Sequence, residues 1–240
     1  MLYVHCSGME NQCTGPTLDW NNTQASISPE GKIVHNRRKI KPTHIERAYC
    51  RTGEGGSLKT VVSTPFGNVG GLTCWEHAQP LLQYYEYEQD VDIQVASWPA
   101  VWDPTDRSEG KWSHQSSGSL NRSISQVMAF EGACCVMVCS QITTEVNSQK
   151  NRMENLSYPT LPGGGFSQIF GFAGKPLCEA PPSGEEAILY ADIDLKDKLL
   201  PKIFLDVVGH YSRPDLLSLC VNTHPSAPVH YFSKGPTEEE

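Results

Sequence analysis

Gly70-Gly71-Leu72-Thr73-Cys74-Trp75-Glu76-His77 is the stretch whose reading decides the fold. Asn68 to Thr73 reads as a strand arriving at a sharp bend. Ala78 to Gln89 reads as a helix, with Pro80 tolerable in its first turn. Leu81, Leu82 and Tyr85 give that helix one apolar face. Val91-Asp92-Ile93-Gln94-Val95 then alternates apolar and polar, the period of a strand. Cys74 is therefore expected at the carboxyl end of a strand and near a helix N-terminus. Unpaired N–H groups and the helix dipole support a thiolate there. A free cysteine is ordinarily buried and inert. The two glycines before this one, and the Trp-Glu-His run after it, set it apart.

Working outward, Lys32 to Ile40 reads as a strand, with Arg37, Arg38, Lys39 and Lys41 crowded at its end. Pro42 to Arg47 reads as a loop, because Pro42 biases Lys41 to an extended conformation and removes a donor. Gly53 to Gly56 reads as another loop. Leu58 to Ser63 and Asn68 to Thr73 form a hairpin that turns at Pro65-Phe66-Gly67. Beyond Val95, Ser97 to Gly118 is a long polar stretch carrying Trp98, Trp102 and Trp112, expected as a pocket wall or subunit contact. Leu120, Ile124, Val127 and Met128 fall at helical spacing, one apolar face. Ala133 to Val138 is a continuous apolar run, a buried strand. Strand–helix–strand thus occurs twice in succession.

Farther along, Thr144 to Leu161 is polar and aperiodic. Gly163-Gly164-Gly165 opens a hairpin with arms Phe166 to Phe170 and Pro176 to Glu179 and a tip at Ala173-Gly174. Glu186 to Ile193 and Leu216 to Val221 read as strands. Asp194 to Val208 is helical in places, with Pro201 held to a first turn or a kink. Gly209 to Pro214 is a turn. Met1 to Trp20 has no period, and Pro236 to Glu240 is an acidic, loose tail.

A chain of 240 residues can bury one sizeable core. Hydrophobic content of 38% and 19% charged residues suit a soluble globular protein. The formal charge of −8 argues against nucleic acid and anionic membrane as partners, which need a basic face. No apolar run reaches transmembrane length, and residues 1–30 lack the pattern of a signal peptide. The nine cysteines are odd in number and without a C-x-x-C pair, the usage of a reducing compartment, so a cytoplasmic location is expected. No ligand set has metal spacing.

Cys74-Trp75-Glu76-His77 resembles the nucleophile motif of the nitrilase branch of the carbon–nitrogen hydrolases. Three further runs add to it: Arg37-Arg38-Lys39-Ile40-Lys41-Pro42-Thr43-His44-Ile45-Glu46-Arg47, Gly163-Gly164-Gly165-Phe166 and Gly209-His210-Tyr211-Ser212-Arg213-Pro214-Asp215. They stand in family order, and the chain looks like a fungal-type nitrilase close to the cyanide hydratases. The resemblance implies an α/β fold, the four-layer α-β-β-α sandwich, with the family domain over residues 25–222. Residues 1–24 match nothing, and residues 223–240 form a tail.

By the same resemblance Cys74 is the nucleophile. Lys39, with Lys41 as its rival, stabilises the tetrahedral intermediate. Glu46 orients the lysine and the hydrolytic water, and the Trp75 backbone N–H completes the anion hole. Glu76, His77 and Trp98 are expected in the substrate pocket, with His77 and His210 more suited to packing than to proton transfer. No metal or organic cofactor is implied. The implied substrate is a small nitrile, and the implied assembly a homo-oligomer in which dimers build helical filaments. The family's first glutamate, the general base, lies far upstream of the lysine, whereas 38 residues precede Lys39 here. Glu30 sits in a turn and Glu10 lacks context. The resemblance therefore implies a chain shortened at its N-terminus, with a sheet edge open, the base missing and little turnover. A non-catalytic family member acting only in assembly, and an amidase of the same superfamily, are the competing readings.

Overall fold

The computed structural model describes residues 8–11, 20–103, 114–153 and 162–224. Trp112, Cys6, Cys13, residues 154–161 and the acidic tail lie outside them. Among the described residues the chain builds two sheets. The first is antiparallel, in the order β1 (Gly8–Asn11), β2 (Trp20–Ile27), β3 (Ile33–Arg38). The second takes the order β4 (Val61–Thr64), β5 (Gly67–Thr73), β6 (Ile93–Trp98), β7 (Cys135–Ser140), β8 (Gln168–Phe170).

Strands β5, β6 and β7 run parallel, flanked by antiparallel β4 and β8. The crossovers are helices α1 (Pro80–Glu88) and α2 (Gly118–Glu131). Right-handed crossovers between parallel strands in one order place both helices on the same face of the sheet. That face carries the apolar core: Leu72, Ala96, Val136 and Val138 from the strands meet Leu82 and Tyr87 of α1, Met128 and Ala129 of α2, and Phe166 and Phe170. A fully buried leucine such as Leu72 contributes about 1.5–3 kcal/mol.

The opposite face of β5 meets the three-stranded sheet, and this seam is polar. Gln24 and Ser26 of β2 and Arg37 of β3 are buried along it, while Asn21 and Thr23 are buried on the other face of β2. Arg37 Nη1 donates to the Gly71 carbonyl of β5 across the seam, at 3.2 Å. The layers helix, sheet, sheet are those of the α-β-β-α sandwich that the sequence implies. Among the described residues no helix is long and apolar enough to cross a membrane.

Several local expectations are corrected. The second strand begins at Trp20, ahead of the point where the sequence becomes readable, because its inward residues are polar. Pro42 does not leave a loop behind it: His44–Ala48 forms a 3₁₀ turn. A second such turn covers Gly55–Leu58. Helix α3 (Glu145–Lys150) occupies part of the stretch read as aperiodic, capped by the Thr144 hydroxyl, which accepts from Asn147 N.

Helix α2 turns Asn121, Ser125, Met128 and Ala129 inward and leaves Val127 exposed. The reason is two indoles: Trp75 Nε1 donates to Asn121 Oδ1 at 3.0 Å, and Trp98 Nε1 to Ser125 Oγ at 3.1 Å. The glycine run 163–165 does not open the hairpin. Gly163 bridges Thr143, and Gly164 (φ +85°) lies where a Cβ would meet Ala100 Cβ at 2.8 Å. The hairpin itself is present, from β8 through Gly174 to a bridge at Pro176. Residues 186–193 and 216–221 form no strand. Ile188 and Leu217 face outward, while Leu189, Ala191 and Ile193 pack without strand pairing against Cys135, Ile169 and Phe172. Helix α4 (Leu199–Phe204) holds Pro201 in its first turn.

Candidate active site

Cys74 follows β5 directly and opens a 3₁₀ turn, Cys74–Ala78, that precedes α1. It stands at φ 56°, the left-handed region that a non-glycine residue occupies at a cost of about 1–3 kcal/mol. His77 secures that backbone: its Nδ1 lies 2.9 Å from the Cys74 carbonyl oxygen. A carbonyl only accepts, so Nδ1 carries the proton. The ring stacks on Trp98, centroids 5.3 Å apart, and burial lowers its pKa to about 4, so it is neutral.

Lys39 is the residue after β3, held to β2 by its own N–H on Asn22 O at 2.7 Å. Its side chain is buried, whereas Lys41 is exposed. Lys39 Nζ donates to Glu46 Oε2 at 2.7 Å and to Thr43 Oγ1 at 3.0 Å. Glu46 Oε2 also accepts from Thr43 N at 2.7 Å, and its Oε1 accepts from Asn22 Nδ2 at 2.8 Å. Burial opposes ionisation of Glu46, but Lys39, Thr43 and Asn22 together outweigh it and hold its pKa below the usual range.

The structure brings Cys74, Lys39 and Glu46 together. The Lys39 ammonium, the Trp75 backbone N–H and the Thr43 hydroxyl all bear on the Cys74 thiol in the direction that favours its thiolate. The thiol is nevertheless not activated in this state. Burial pushes its pKa up, and Lys39, Trp75 N–H and Thr43 pull it down by less, with Glu46 adding to the rise. This corrects the expectation of a depressed thiol: a short 3₁₀ turn supplies less dipole than a full helix, and the charge of Lys39 is largely spent on Glu46.

Of the residues expected in the substrate pocket, Glu76 borders one cavity and His77 a second, while Trp98 borders neither of these. Each is at most 3% exposed and has its polar atoms engaged within the protein. Glu76 joins the two sheets. Its carboxylate accepts from Arg37 Nη2 (2.6 Å) and Nη1 (2.9 Å), from Ile40 N (2.8 Å) and from Thr73 N (2.9 Å). Arg37 is the residue that sequence reasoning undervalued, as one of four cations crowded at a strand end. Thr43 was missed too, although Thr43-x-x-Glu46 and Thr73-x-x-Glu76 both carry the spacing of a capping box.

A cavity of about 740 Å³ opens beside Thr43 and Trp75, walled by Leu82, Tyr85, Leu120 and Ile124. Among the described residues no group of three or more His, Cys, Asp or Glu is placed to hold a metal ion.

Fold and site together define an α/β sandwich with a cysteine, a lysine and a glutamate gathered at the seam of its sheets. The chain belongs to the carbon-nitrogen hydrolase family, whose model matches residues 2–198. A nitrilase of Penicillium rubens is 57% identical over 214 residues, covering 89% of this chain and 65% of the relative. A nitrilase of Talaromyces marneffei is 55% identical, covering 83% and 62%. An arylacetonitrilase of Macrophomina phaseolina is 44% identical, covering 83% and 60%. The chain thus spans a little under two thirds of the length of these relatives. Among solved structures, a carbon-nitrogen hydrolase from Helicobacter pylori G27 superposes with a TM-score of 0.59 at 19% identity, covering 78% of this chain and 61% of that one. That likeness is one of fold.

Proposed function

We propose that this chain is a nitrilase-type hydrolase with Cys74 as its nucleophile. The observation that supports the reading is the hydrogen-bonded set of Lys39, Glu46 and Thr43, whose lysine and threonine bear on the Cys74 thiol. The thiol adds across the carbon–nitrogen triple bond, its proton passing to nitrogen, to give a thioimidate. Water adds to that carbon, and the tetrahedral adduct is stabilised by Lys39 and the Trp75 N–H. Expulsion of ammonia leaves a thioester, which a second water cleaves to the carboxylic acid and free Cys74. Expulsion of the thiolate from the tetrahedral adduct gives the amide instead. Glu46 holds Lys39 in place and offers its carboxylate to the attacking water.

The names of the relatives support a small nitrile as substrate, aryl-substituted nitriles included. A reducing, cytoplasmic setting is supported by the seven described cysteines, all free. A homo-oligomer is supported by exposed apolar residues on the C-terminal arm, Leu199, Leu200, Ile203 and Phe204.

The test is covalent trapping. Incubate the protein with phenylacetonitrile or an electrophilic nitrile, quench, and map adducts by mass spectrometry while following ammonia release. One adduct, at Cys74, is expected, and Cys74→Ala should show neither adduct nor ammonia. Equal labelling of Cys50, Cys134 and Cys178 overturns the reading.

A further inference from the structure

Glu86 of α1 is a carboxylate where a helix facing a core should carry none. It is completely buried, and neither of its oxygens has a hydrogen-bond partner. The Oε1 of Gln94, on β6, is buried and unpartnered as well. The two oxygens converge. A Cβ built on Gly70 would lie 2.7 Å from Glu86 Oε1 and 2.6 Å from Gln94 Oε1, so both press on one point of β5.

The rest of Gln94 fixes which atom is which. Its Nε2 lies 3.4 Å from His77 Nε2. His77 Nδ1 carries the proton because it donates to the Cys74 carbonyl, so His77 Nε2 must accept and Gln94 Nε2 must donate. Gln94 Oε1 is then the acceptor end of the amide and faces Glu86. Two unpartnered buried acceptors against the same residue of β5 are costly to leave unsatisfied. A proton on Glu86 relieves that cost.

We propose that Glu86 is a positioning residue, kept as an uncharged carboxylic acid that donates to Gln94 Oε1, and that the line Glu86–Gln94–His77 fixes the Cys74 carbonyl and so the left-handed backbone carrying the thiol. The inference concerns the backbone of Cys74 and goes beyond the proposed reaction, resting on it only where Cys74 reactivity is read.

The surroundings agree. Burial raises the Glu86 pKa to about 8, and Arg37, the Thr60 hydroxyl and the Gly71 N–H lower it by less. Neither Thr60 nor Gly71 reaches hydrogen-bond geometry on the carboxyl. Glu76 adds to the rise, and Tyr87 and Cys134, whose own pKa values are raised, feel Glu86 in turn.

Ionisation has a defined consequence. A carboxylate would draw the Gln94 amide N–H₂ to itself, turning Gln94 Oε1 toward His77. His77 would then move its proton to Nε2 to meet that oxygen, and Nδ1 would release the Cys74 carbonyl.

Two measurements on the whole protein test this. The first is the infrared carbonyl stretch of a protonated carboxylic acid, lost in Glu86→Gln and lost in the wild type above about pH 8. The second is nitrogen NMR of His77. The proton should sit on Nδ1 at neutral pH and shift to Nε2 across the same range. In Glu86→Gln, whose amide can donate to Gln94 Oε1 at every pH, it should stay on Nδ1. Cys74 alkylation at neutral pH should be within about twofold of wild type in Glu86→Gln and about three- to tenfold slower in Glu86→Leu, which has no donor. A carboxylate signal for Glu86 at neutral pH, or a His77 proton that stays on Nδ1 through the alkaline range in the wild type, overturns the inference. The infrared and NMR readings need no nitrile chemistry, so they stand or fall apart from the proposed function. The infrared reading on the wild type also decides the matter if a variant fails to fold.

Discussion

Replacing Glu76 by glutamine should unfold this protein early, and the size of the effect follows from four hydrogen bonds. The carboxylate is 3% exposed and accepts twice on each oxygen, from Arg37 and Ile40 on Oε1 and from Arg37 and Thr73 on Oε2. An amide keeps one oxygen. Its nitrogen meets two donors that must then go unpaired, at about 1–3 kcal/mol each. Arg37 is also left as a buried cation without its counter-charge, and breaking such a pair typically costs about 3–5 kcal/mol in all. For a chain of this size that lowers the melting temperature by about 6–20 °C.

The pH dependence has a definite sign. Burial opposes ionisation of Glu76, yet Arg37, Ile40 N and Thr73 N hold its folded pKa below 4.5. The stabilisation is therefore complete above pH 4.5 and is lost as pH falls through the lower folded value. Urea unfolding followed by circular dichroism across the acidic range should show wild type and Glu76→Gln converging as pH drops. The double variant Arg37→Met, Glu76→Leu should recover much of the loss, because an apolar pair removes both the buried charge and the orphaned acceptor. A Glu76→Gln variant within about 1 kcal/mol of wild type at neutral pH would refute the reasoning, since that is the cost of an ordinary surface hydrogen bond.

Lys39→Met removes the nearest cation from an already raised thiol, so Cys74 alkylation at neutral pH should slow by about tenfold or more, while Lys41→Met leaves it unchanged; equal effects would reassign the cation. Gly70→Ala should cost about 1–3 kcal/mol in urea unfolding, because its Cβ would meet Gln94 Oε1, Glu86 Oε1 and Val91 Cγ2 within 2.8 Å, whereas Gly56→Ala, with nothing within 4 Å, should be near neutral.

The central unit was legible because its pattern is local. Gly70 to Val95 runs strand, turn, helix, strand, and the parallel pairing of β5, β6 and β7 follows from two strand–helix–strand units, although the buried Glu86 and Gln94 carry no signal in that pattern. The polar seam was not legible. Asn21, Thr23, Gln24 and Ser26 are polar and carry no hydrophobic signal, yet all four are buried, and Gln24 Oε1 accepts from Arg37 Nη1 at the seam. Helix α2 misled for the same reason: Asn121 and Ser125 point inward to meet two indole N–H groups, which no periodicity of hydrophobic residues can register. Residues 186–193 and 216–221 alternate like strands but have no partner strand, so pattern alone could not place them. At the site, Lys39 and Glu46 were legible from the resemblance, while the state of the Cys74 thiol depends on burial that only the folded structure supplies.

The two Thr-x-x-Glu turns have a consequence for how the chain finds its alignment. Arg37 and Lys39 are successive inward residues at the end of one strand, and each ends on a glutamate from a different turn, Glu76 and Glu46. In both turns the residue after the threonine stands at positive φ, His44 at 49° and Cys74 at 56°. Were β3 to slip by one position against β2, Arg38 would face inward and both cations would face out. Glu76 would be stranded inside the protein without a counter-charge, and the half-buried Glu46 would lose its lysine. The penalty is doubled because the two clasps cannot be satisfied separately. The lysine beside the cysteine is thus held in register by an arginine two residues away, and a misaligned strand forfeits both ion pairs at once.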